Sequence, residues 1–207
     1  MIQHLNGKLI TFEGGECSGK TTQIHLLADR LKAEGGDVVL IREPGGTPIG
    51  ETLRAILKHP PQFICSQTEL CLFIAARCQL VREVIQPALK AQKVVLCDRF
   101  TDSTVVYQGL SRGLPLSTID AFNQFATEGL VPHKTIYLDL PTDASLMRMT
   151  QRGEPLDNLE ASPSSFHEAV RYGYMSLVQN HQDRIQSFDA TMPIDVLSDQ
   201  IWDFLKN

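Results

Sequence analysis

Short runs of Val, Ile and Leu alternate with amphipathic segments along this chain. The apolar runs at 8–13, 38–41, 94–97 and 135–138 predict four strands, and 194–196 predicts a fifth. These runs do not alternate apolar with polar positions, which is typical of a parallel sheet that is buried on both faces. Helical spacing predicts helices at 23–34, 49–57, 67–90, 118–127, 145–152 and 166–187, with one more at the C-terminus.

Composition narrows the possible classes of protein. The net charge of -5 and the absence of a Lys/Arg block argue against nucleic acid as a partner. No apolar run approaches the ~20 residues that span a bilayer, so no membrane association is expected. The five cysteines are odd in number and lack paired C-x-x-C spacing, which favours a reduced, cytoplasmic protein without a disulfide framework or zinc site.

A glycine-rich turn between the first strand and the first helix matches G-x-x-x-x-G-K-[ST]. Backbone N–H groups of such a turn point at a triphosphate, and the helix N-terminus adds favourable partial charge. Lys20 is expected to neutralise the β- and γ-phosphates, and the Thr21 hydroxyl to ligate Mg²⁺. The predicted ATP-binding residues are Gly14, Gly15, Glu16, Cys17, Ser18, Gly19, Lys20, Thr21 and Thr22.

Strands that alternate with helices imply right-handed crossovers. Together with the phosphate loop they predict an α/β fold of the P-loop NTPase type. This fold is a three-layer sandwich in which a parallel five-stranded sheet carries helices on both faces. Residues 1–207 are expected to form one domain. The segment 153–165 contains two prolines and is expected to be mobile, as part of a lid at about 145–165.

Charged clusters follow the predicted strands, where open α/β sheets bind ligands. They comprise Glu13 with Glu16, the segment 42–46, and Asp98 with Arg99. An aromatic ring and a cation are spaced i,i+4 on the long helix, at Phe73 and Arg77. This pair offers a stacking surface beside a hydrogen-bond donor, which suits a planar base with exocyclic oxygens.

These motifs resemble the thymidylate kinase family, and they occur in the order found there. The resemblance covers roughly residues 8–160. It is carried by Phe12-Glu13-Gly14-Gly15-Glu16 with the phosphate loop, Arg42-Glu43-Pro44-Gly45-Gly46-Thr47, Leu72-Phe73-Ile74-Ala75-Ala76-Arg77, and Asp98-Arg99-Phe100 through Tyr107-Gln108-Gly109.

The resemblance implies a role for each matching residue. Glu16 would bond the sugar 3′-hydroxyl, while Arg42, Arg54 and Arg99 would lie near the acceptor phosphate. Phe73 would lie under thymine and Arg77 would donate to its 4-oxygen, with Thr104 and Gln108 at the other base edge. Tyr107 would exclude a ribose by crowding the 2′ position, and Asp98 would lie on the metal side.

Simpler roles stay open for four of these residues. Phe73 and Tyr107 are also compatible with ordinary packing. Arg54 is also compatible with a solvated charge on a helix surface, and Asp98 with a structural ion-pair partner for an arginine.

Phosphoryl transfer needs positioning and charge neutralisation rather than a general base, because an acceptor phosphate is already nucleophilic. The phosphate loop has no basic residue at 15–18, so a lid arginine is expected to reach the transferred group. Arg152 is the first candidate and Arg148 the second. The alternative is that both are solvated surface arginines without a catalytic role.

The sequence departs from the family's usual pattern at two positions. Asn158 stands where the family's lid commonly has a cation, and Cys17 stands where the loop usually has a small residue. The Cys17 thiol would be reactive only if its pKa were lowered.

The predicted function is therefore transfer of the ATP γ-phosphoryl group to dTMP, which supplies DNA precursors. Two alternatives are a kinase for thymidine or another deoxynucleoside monophosphate, and a non-catalytic nucleotide-binding module that acts as a switch. The resemblance also implies a homodimer formed through the long helices.

Overall fold

A computed structural model describes residues 3–206, and five parallel strands form its centre. The strands are β1 (Leu9–Glu13), β2 (Val38–Arg42), β3 (Val94–Asp98), β4 (Lys134–Asp139) and β5 (Ile185–Asp189). Their order in the sheet is β2-β3-β1-β4-β5. The α/β sandwich with a five-stranded parallel sheet is thereby confirmed.

Helices connect successive strands and cover both faces of the sheet. They are α1 (Lys20–Ala33), α2 (Pro48–Lys58), α3 (Ser66–Leu80), α4 (Gln86–Lys90), α5 (Thr101–Thr104), α6 (Leu116–Thr127), α7 (Thr142–Arg152), α8 (Ser164–Asn180) and α9 (Ile194–Lys206). A π-helical turn at Val81–Ile85 joins α3 to α4, so the predicted helix at 67–90 is one continuous helical run. A short 3₁₀ turn precedes β1 at Gln3–Leu5.

Consecutive residues of the central strands enter two separate cores. Ile10 and Phe12 of β1 pack towards α1 and α9, whereas Leu9 packs towards the π-helical turn and α4. All three side chains are buried. A strand with apolar partners on both sides does not need polar positions at every second residue, which explains the continuous apolar runs.

The predicted helix at 166–187 is wrong beyond residue 180. The chain leaves α8 at Asn180, turns, and enters β5 at Ile185, which pairs with Thr135 of β4. Because β5 is an edge strand, only Ile185 and Phe188 of it are buried. Two buried positions in five residues give a weak strand signal, and the preceding helical spacing obscures it.

The predicted strand at 194–196 is also wrong, because these residues form the first turn of α9. The buried side chains of this helix are Leu197, Ile201, Trp202 and Leu205, spaced for one helical face. Ile194 is 60% exposed. The sheet thus has the predicted number of strands, but its fifth strand is β5.

Residues 101–111 carry no helical signal, yet the structure has α5 there, followed by a π-helical segment at Val105–Ser111. Thr and Val are weak helix formers, and Gly109 weakens the pattern further. Tertiary packing overrides this low propensity, because α8 lies closely against the segment at Gly173, where an added Cβ would approach Val106 to 3.0 Å. Helix α5 and the π-helical segment together carry three of the residues predicted to contact the substrate, namely Thr104, Tyr107 and Gln108.

Within residues 3–206, no helix combines the length and the apolar character that crossing a bilayer requires.

The orientation of α9 can be tested with two matched substitutions. Ile201→Ala is expected to lower the free energy of unfolding by about 2–5 kcal/mol, because it leaves a cavity in the core. Ile194→Ala removes the same atoms from an exposed position and should change stability by about 0.5 kcal/mol or less. Urea denaturation measures both, and equal losses would contradict the helical assignment at 194–196.

Candidate active site

The phosphate loop runs from the end of β1 to the start of α1. Gly14 has a φ of 147°, and a Cβ at this position would lie 2.7 Å from the Leu138 carbonyl oxygen. Gly19 has a φ of 92° and precedes the first residue of α1. Both backbone conformations favour glycine, so the sequence at 14–21 bends back over the helix N-terminus as the motif predicts.

Lys20 turns back into this loop. Its Nζ donates to the carbonyl oxygens of Gly14 at 3.1 Å and Gly15 at 2.7 Å, and to Ser18 Oγ at 3.3 Å. Burial lowers its pKa, and repulsion from Arg99 lowers it further. The ammonium group is held by neutral oxygens, which a negatively charged phosphate oxygen can replace.

Oxygen ligands for a divalent cation meet beside the loop. The Thr21 hydroxyl donates to Asp98 Oδ2 at 3.3 Å, and both residues line the same cavity. Mg²⁺ prefers such hard oxygen ligands and usually completes its shell with water and substrate phosphates. No cluster of three His, Cys, Asp or Glu side chains suited to a metal occurs in the described part of the chain, and a nucleotide-linked Mg²⁺ does not require one.

Arg99 lies at the carboxyl end of β3, beside the loop. Its Nη2 donates to Glu16 Oε1 at 2.7 Å and its Nη1 to the Gly14 carbonyl at 3.0 Å. The Tyr107 hydroxyl donates to the same Glu16 oxygen at 2.9 Å. Burial opposes ionisation of Glu16, but attraction to Arg99 and then to Lys20 outweighs it and lowers its pKa to about 2.

One cavity of about 420 Å³ gathers most of the predicted phosphate-binding residues. It is lined by the loop at 16–22, by Asp98 and by arginines from β2, α2, α7 and the turn after β3. Arg42 pairs with Glu51 at 2.9 Å, and Arg54 Nη1 donates to the Pro44 carbonyl at 2.9 Å. The lining arginines are Arg42, Arg54, Arg99 and Arg152.

A smaller cavity of about 70 Å³ adjoins it, lined by the side chains predicted to meet a base. Phe73 lies on one wall, with Tyr107 and Gln108 among the other lining residues. The Gln108 Nε2 donates to Glu69 Oε1 at 2.9 Å, which fixes the orientation of the amide. Arg54 and Arg99 line both cavities, so the two spaces meet at these cations.

Arg77 and Thr104 lie behind this pocket rather than on its surface. Arg77 is 1% exposed, and all five of its N–H groups donate to protein oxygens. Those oxygens belong to Glu43, Thr104, Asn123 and the Phe100 carbonyl. Contact with a thymine oxygen would therefore require Arg77 to exchange or share one of these partners, and this role stays a prediction.

The two candidate lid arginines have different surroundings. Arg148 donates to the carbonyls of Cys17 at 3.2 Å and Ala190 at 3.0 Å, so it ties the phosphate loop to the β5–α9 turn. Arg152 lines the large cavity and makes two 2.8 Å bonds to Glu160. Its Nη1 also lies 3.8 Å from Cys17 Sγ. Of these two arginines, Arg152 is the one that lines the cavity, and its catalytic role stays a prediction.

The two departures from the family pattern, Asn158 and Cys17, line different cavities. The Asn158 backbone N–H donates to the Lys58 carbonyl at 3.0 Å, and Lys58 itself pairs with Asp157 at 3.4 Å. Lys58, the last residue of α2, therefore contacts the lid next to the position of Asn158. Burial raises the pKa of the Cys17 thiol, which disfavours the reactive thiolate at neutral pH.

Sequence reasoning does not assign four residues that shape the site. Glu43 and Lys58 line the large cavity, Glu160 holds Arg152, and Tyr174 contacts Arg99. Glu43 belongs to the family-like motif at 42–47, so its place in the sequence is a usable signal. Lys58 and Tyr174 lie on helices with no distinguishing pattern, so only the fold reveals their proximity.

The parallel sheet, the phosphate loop and the adjoining pocket for a second ligand define a P-loop phosphotransferase of the nucleotide-kinase class. Comparison with known proteins agrees with this class. The sequence model of the family described as thymidylate kinase matches residues 12–201. The chain belongs to the thymidylate kinase family.

Individual relatives match over nearly the whole chain. The thymidylate kinase of Kosmotoga olearia is 44% identical over 192 residues, covering 93% of this chain and 92% of that protein. The thymidylate kinase of Deinococcus radiodurans is 44% identical over 196 residues, covering 95% of each. A crystal structure of thymidylate kinase from Ehrlichia chaffeensis superposes with a TM-score of 0.81 at 33% identity, covering 98% of this chain and 100% of that one.

Proposed function

We propose that this protein transfers the γ-phosphoryl group of ATP to dTMP, which forms dTDP and ADP. The observation that carries the proposal is the junction of the two cavities at Arg54 and Arg99. A triphosphate on the loop and a monophosphate under these arginines would lie end to end. In-line transfer requires that arrangement.

The roles of the chain's own groups follow from their positions. Lys20 would exchange its loop carbonyls for oxygens of the β- and γ-phosphates. Arg99 would hold the acceptor phosphate while Glu16 receives the sugar hydroxyl. Thr21 and Asp98 would hold Mg²⁺ or its water ligands, and the cation would neutralise charge on the phosphates.

Selection of the acceptor would occur in the smaller cavity. Phe73 offers a stacking surface for the base, worth about 1–3 kcal/mol. The Tyr107 hydroxyl, held on Glu16, would occupy the space that a ribose 2′-hydroxyl needs. Gln108, held by Glu69, would meet the base edge, with Thr104 behind it as the oxygen partner of Arg77.

Residues 145–165 would act as a lid within a single domain. Arg152 stands at the end of α7, directly before Gly153, which has a φ of 69° and allows the chain to turn. Closure would bring Arg152 from Glu160 onto the transferred phosphoryl group.

An acceptor panel tests the function directly. ADP release should be fastest with dTMP and much slower with thymidine or with dCMP, dAMP and dGMP. Lys20→Ala is expected to abolish turnover, because it removes the positive charge that would neutralise the β- and γ-phosphates. Faster turnover of thymidine than of dTMP would contradict the proposal. Tight ATP binding without transfer to any acceptor would favour a non-catalytic module.

The two lid arginines should separate in a second experiment. Arg152→Ala is expected to lower kcat by roughly 10³-fold or more with little change in dTMP affinity, because it removes charge stabilisation at the transferred group. Arg148→Ala removes two bonds to backbone carbonyls and should mainly lower the melting temperature. Steady-state kinetics and thermal unfolding measure these effects, and the reverse pattern would assign the catalytic role to Arg148.

We further propose a homodimer that pairs through the long helical run containing α3 and through α6, which packs beside α3. Phe125 and Phe122 on α6 are 75% and 37% exposed, and their i,i+3 spacing places both rings on one side of the helix, where they could form an apolar contact surface. Sedimentation equilibrium should give a dimer for the unaltered chain and a monomer for Phe125→Glu. Tyr172→Glu, which changes an aromatic residue 68% exposed on α8, should leave the dimer intact. A monomeric unaltered chain would contradict the proposal.

A further inference from the structure

Glu13, the last residue of β1, is completely buried and touches neither ligand cavity directly. Its Oε1 accepts the backbone N–H of Phe100 at 2.8 Å. Its Oε2 accepts the Tyr174 hydroxyl at 2.7 Å. Burying a carboxyl group costs free energy unless hydrogen bonds compensate for the lost water. Both groups that donate to Glu13 are neighbours of Arg99: Phe100 follows it in the chain, and the Tyr174 hydroxyl contacts its guanidinium group.

The first bond fixes the backbone on either side of Arg99. Arg99 has a φ of 69°, a left-handed conformation that costs a non-glycine residue on the order of 1–3 kcal/mol. The Arg99 N–H donates to the Phe12 carbonyl at 2.9 Å, and the next N–H, that of Phe100, donates to Glu13. Two neighbouring residues of β1 therefore hold both amides of the turn that aims Arg99 at the phosphate loop.

The second bond reaches the guanidinium group itself. The Tyr174 hydroxyl lies between Glu13 Oε2 and Arg99 Nη1, which is 3.4 Å away. The Tyr174 ring is buried, stacked on Tyr137 at 5.1 Å and edge-on to Tyr107 at 6.3 Å. Because this packing restrains the ring, its hydroxyl gives Arg99 a second positioned contact in addition to Glu16.

The charges of the two carboxyl groups near Arg99 differ. Burial, followed by repulsion from Asp102, raises the pKa of Glu13 to about 8, whereas the pKa of Glu16 is lowered to about 2. Glu16 is therefore the carboxylate that pairs directly with Arg99, whereas burial disfavours the charged form of Glu13. Glu13 reaches Arg99 only through the Phe100 amide and the Tyr174 hydroxyl, so it can orient Arg99 without forming an ion pair with it.

We propose that Glu13 is a positioning residue for Arg99, holding the turn through the Phe100 amide and the guanidinium group through Tyr174. This inference rests on the proposed function, in which Arg99 binds the acceptor phosphate. Glu13 acts only through Arg99 and contacts no substrate. An amide at this position keeps the acceptor for Phe100, whereas an apolar side chain leaves two buried donors without their carboxyl partner.

Calorimetric binding of dTMP tests the proposal. Glu13→Gln should stay within about three-fold of the unaltered affinity. Glu13→Leu should weaken dTMP binding by roughly ten- to a hundred-fold, and ATP binding far less. Thr11→Val is the matched control, since it removes a buried 2.8 Å bond to Thr135 from the same strand without touching Arg99. An equal loss of dTMP affinity in Thr11→Val would overturn the inference.

A double-mutant cycle with Arg99→Ala separates positioning from general destabilisation. Glu13→Leu should cost no further dTMP affinity once Arg99 is absent, whereas additive losses would overturn the inference. Tyr174→Phe, combined with Arg99→Ala in the same way, decides between these outcomes if circular dichroism shows that Glu13→Leu does not fold. If the unaltered chain binds no dTMP, the proposed function fails and this inference with it; additive losses in a chain that binds dTMP refute the inference alone.

Discussion

The contact between Arg99 and Glu16, 2.7 Å long, joins the two halves of the site. Arg99 follows β3 and Glu16 lies in the loop after β1, so the pair links the third strand to the phosphate loop. Tyr107 adds a third element, because its hydroxyl shares the Glu16 oxygen. Arg99 and Tyr107 are therefore both held by Glu16, a residue that belongs to another part of the chain.

The sheet order explains why this contact exists. β3 lies between β1 and β2, with Phe12 and Arg42 both in register with Asp98. Parallel strands end at the same edge, so the loop after β1, the acid and arginine at the end of β3 and the arginine ending β2 meet in one place. Residues that are distant in the chain become neighbours through the crossovers alone.

Features encoded in local sequence are predictable, and features that depend on distant packing are not. The phosphate loop is recognisable because Gly14, Gly19 and Lys20 stand at fixed spacing between a strand and a helix. The strand β5 escapes prediction because an edge strand buries few side chains, and the three residues that begin α9 resemble a strand in isolation. The saturated environment of Arg77 cannot be foreseen, since four of its five bonds go to residues at least 27 positions away and the fifth to the Phe100 carbonyl.

Two arginines that are proposed to lie near the acceptor phosphate share a property that bears on the identity of the acceptor. Arg42 pairs with Glu51, and Arg99 pairs with Glu16. Each of these cations already has a carboxylate partner, so a ligand gains only the difference between its own attraction and that of the carboxylate. A neutral hydroxyl offers these arginines less than the carboxylate does, whereas a phosphate dianion offers more charge and more acceptor oxygens. If these arginines bind the acceptor as proposed, internal pairing of this kind would discriminate against a nucleoside and in favour of its monophosphate, without any contact to the base.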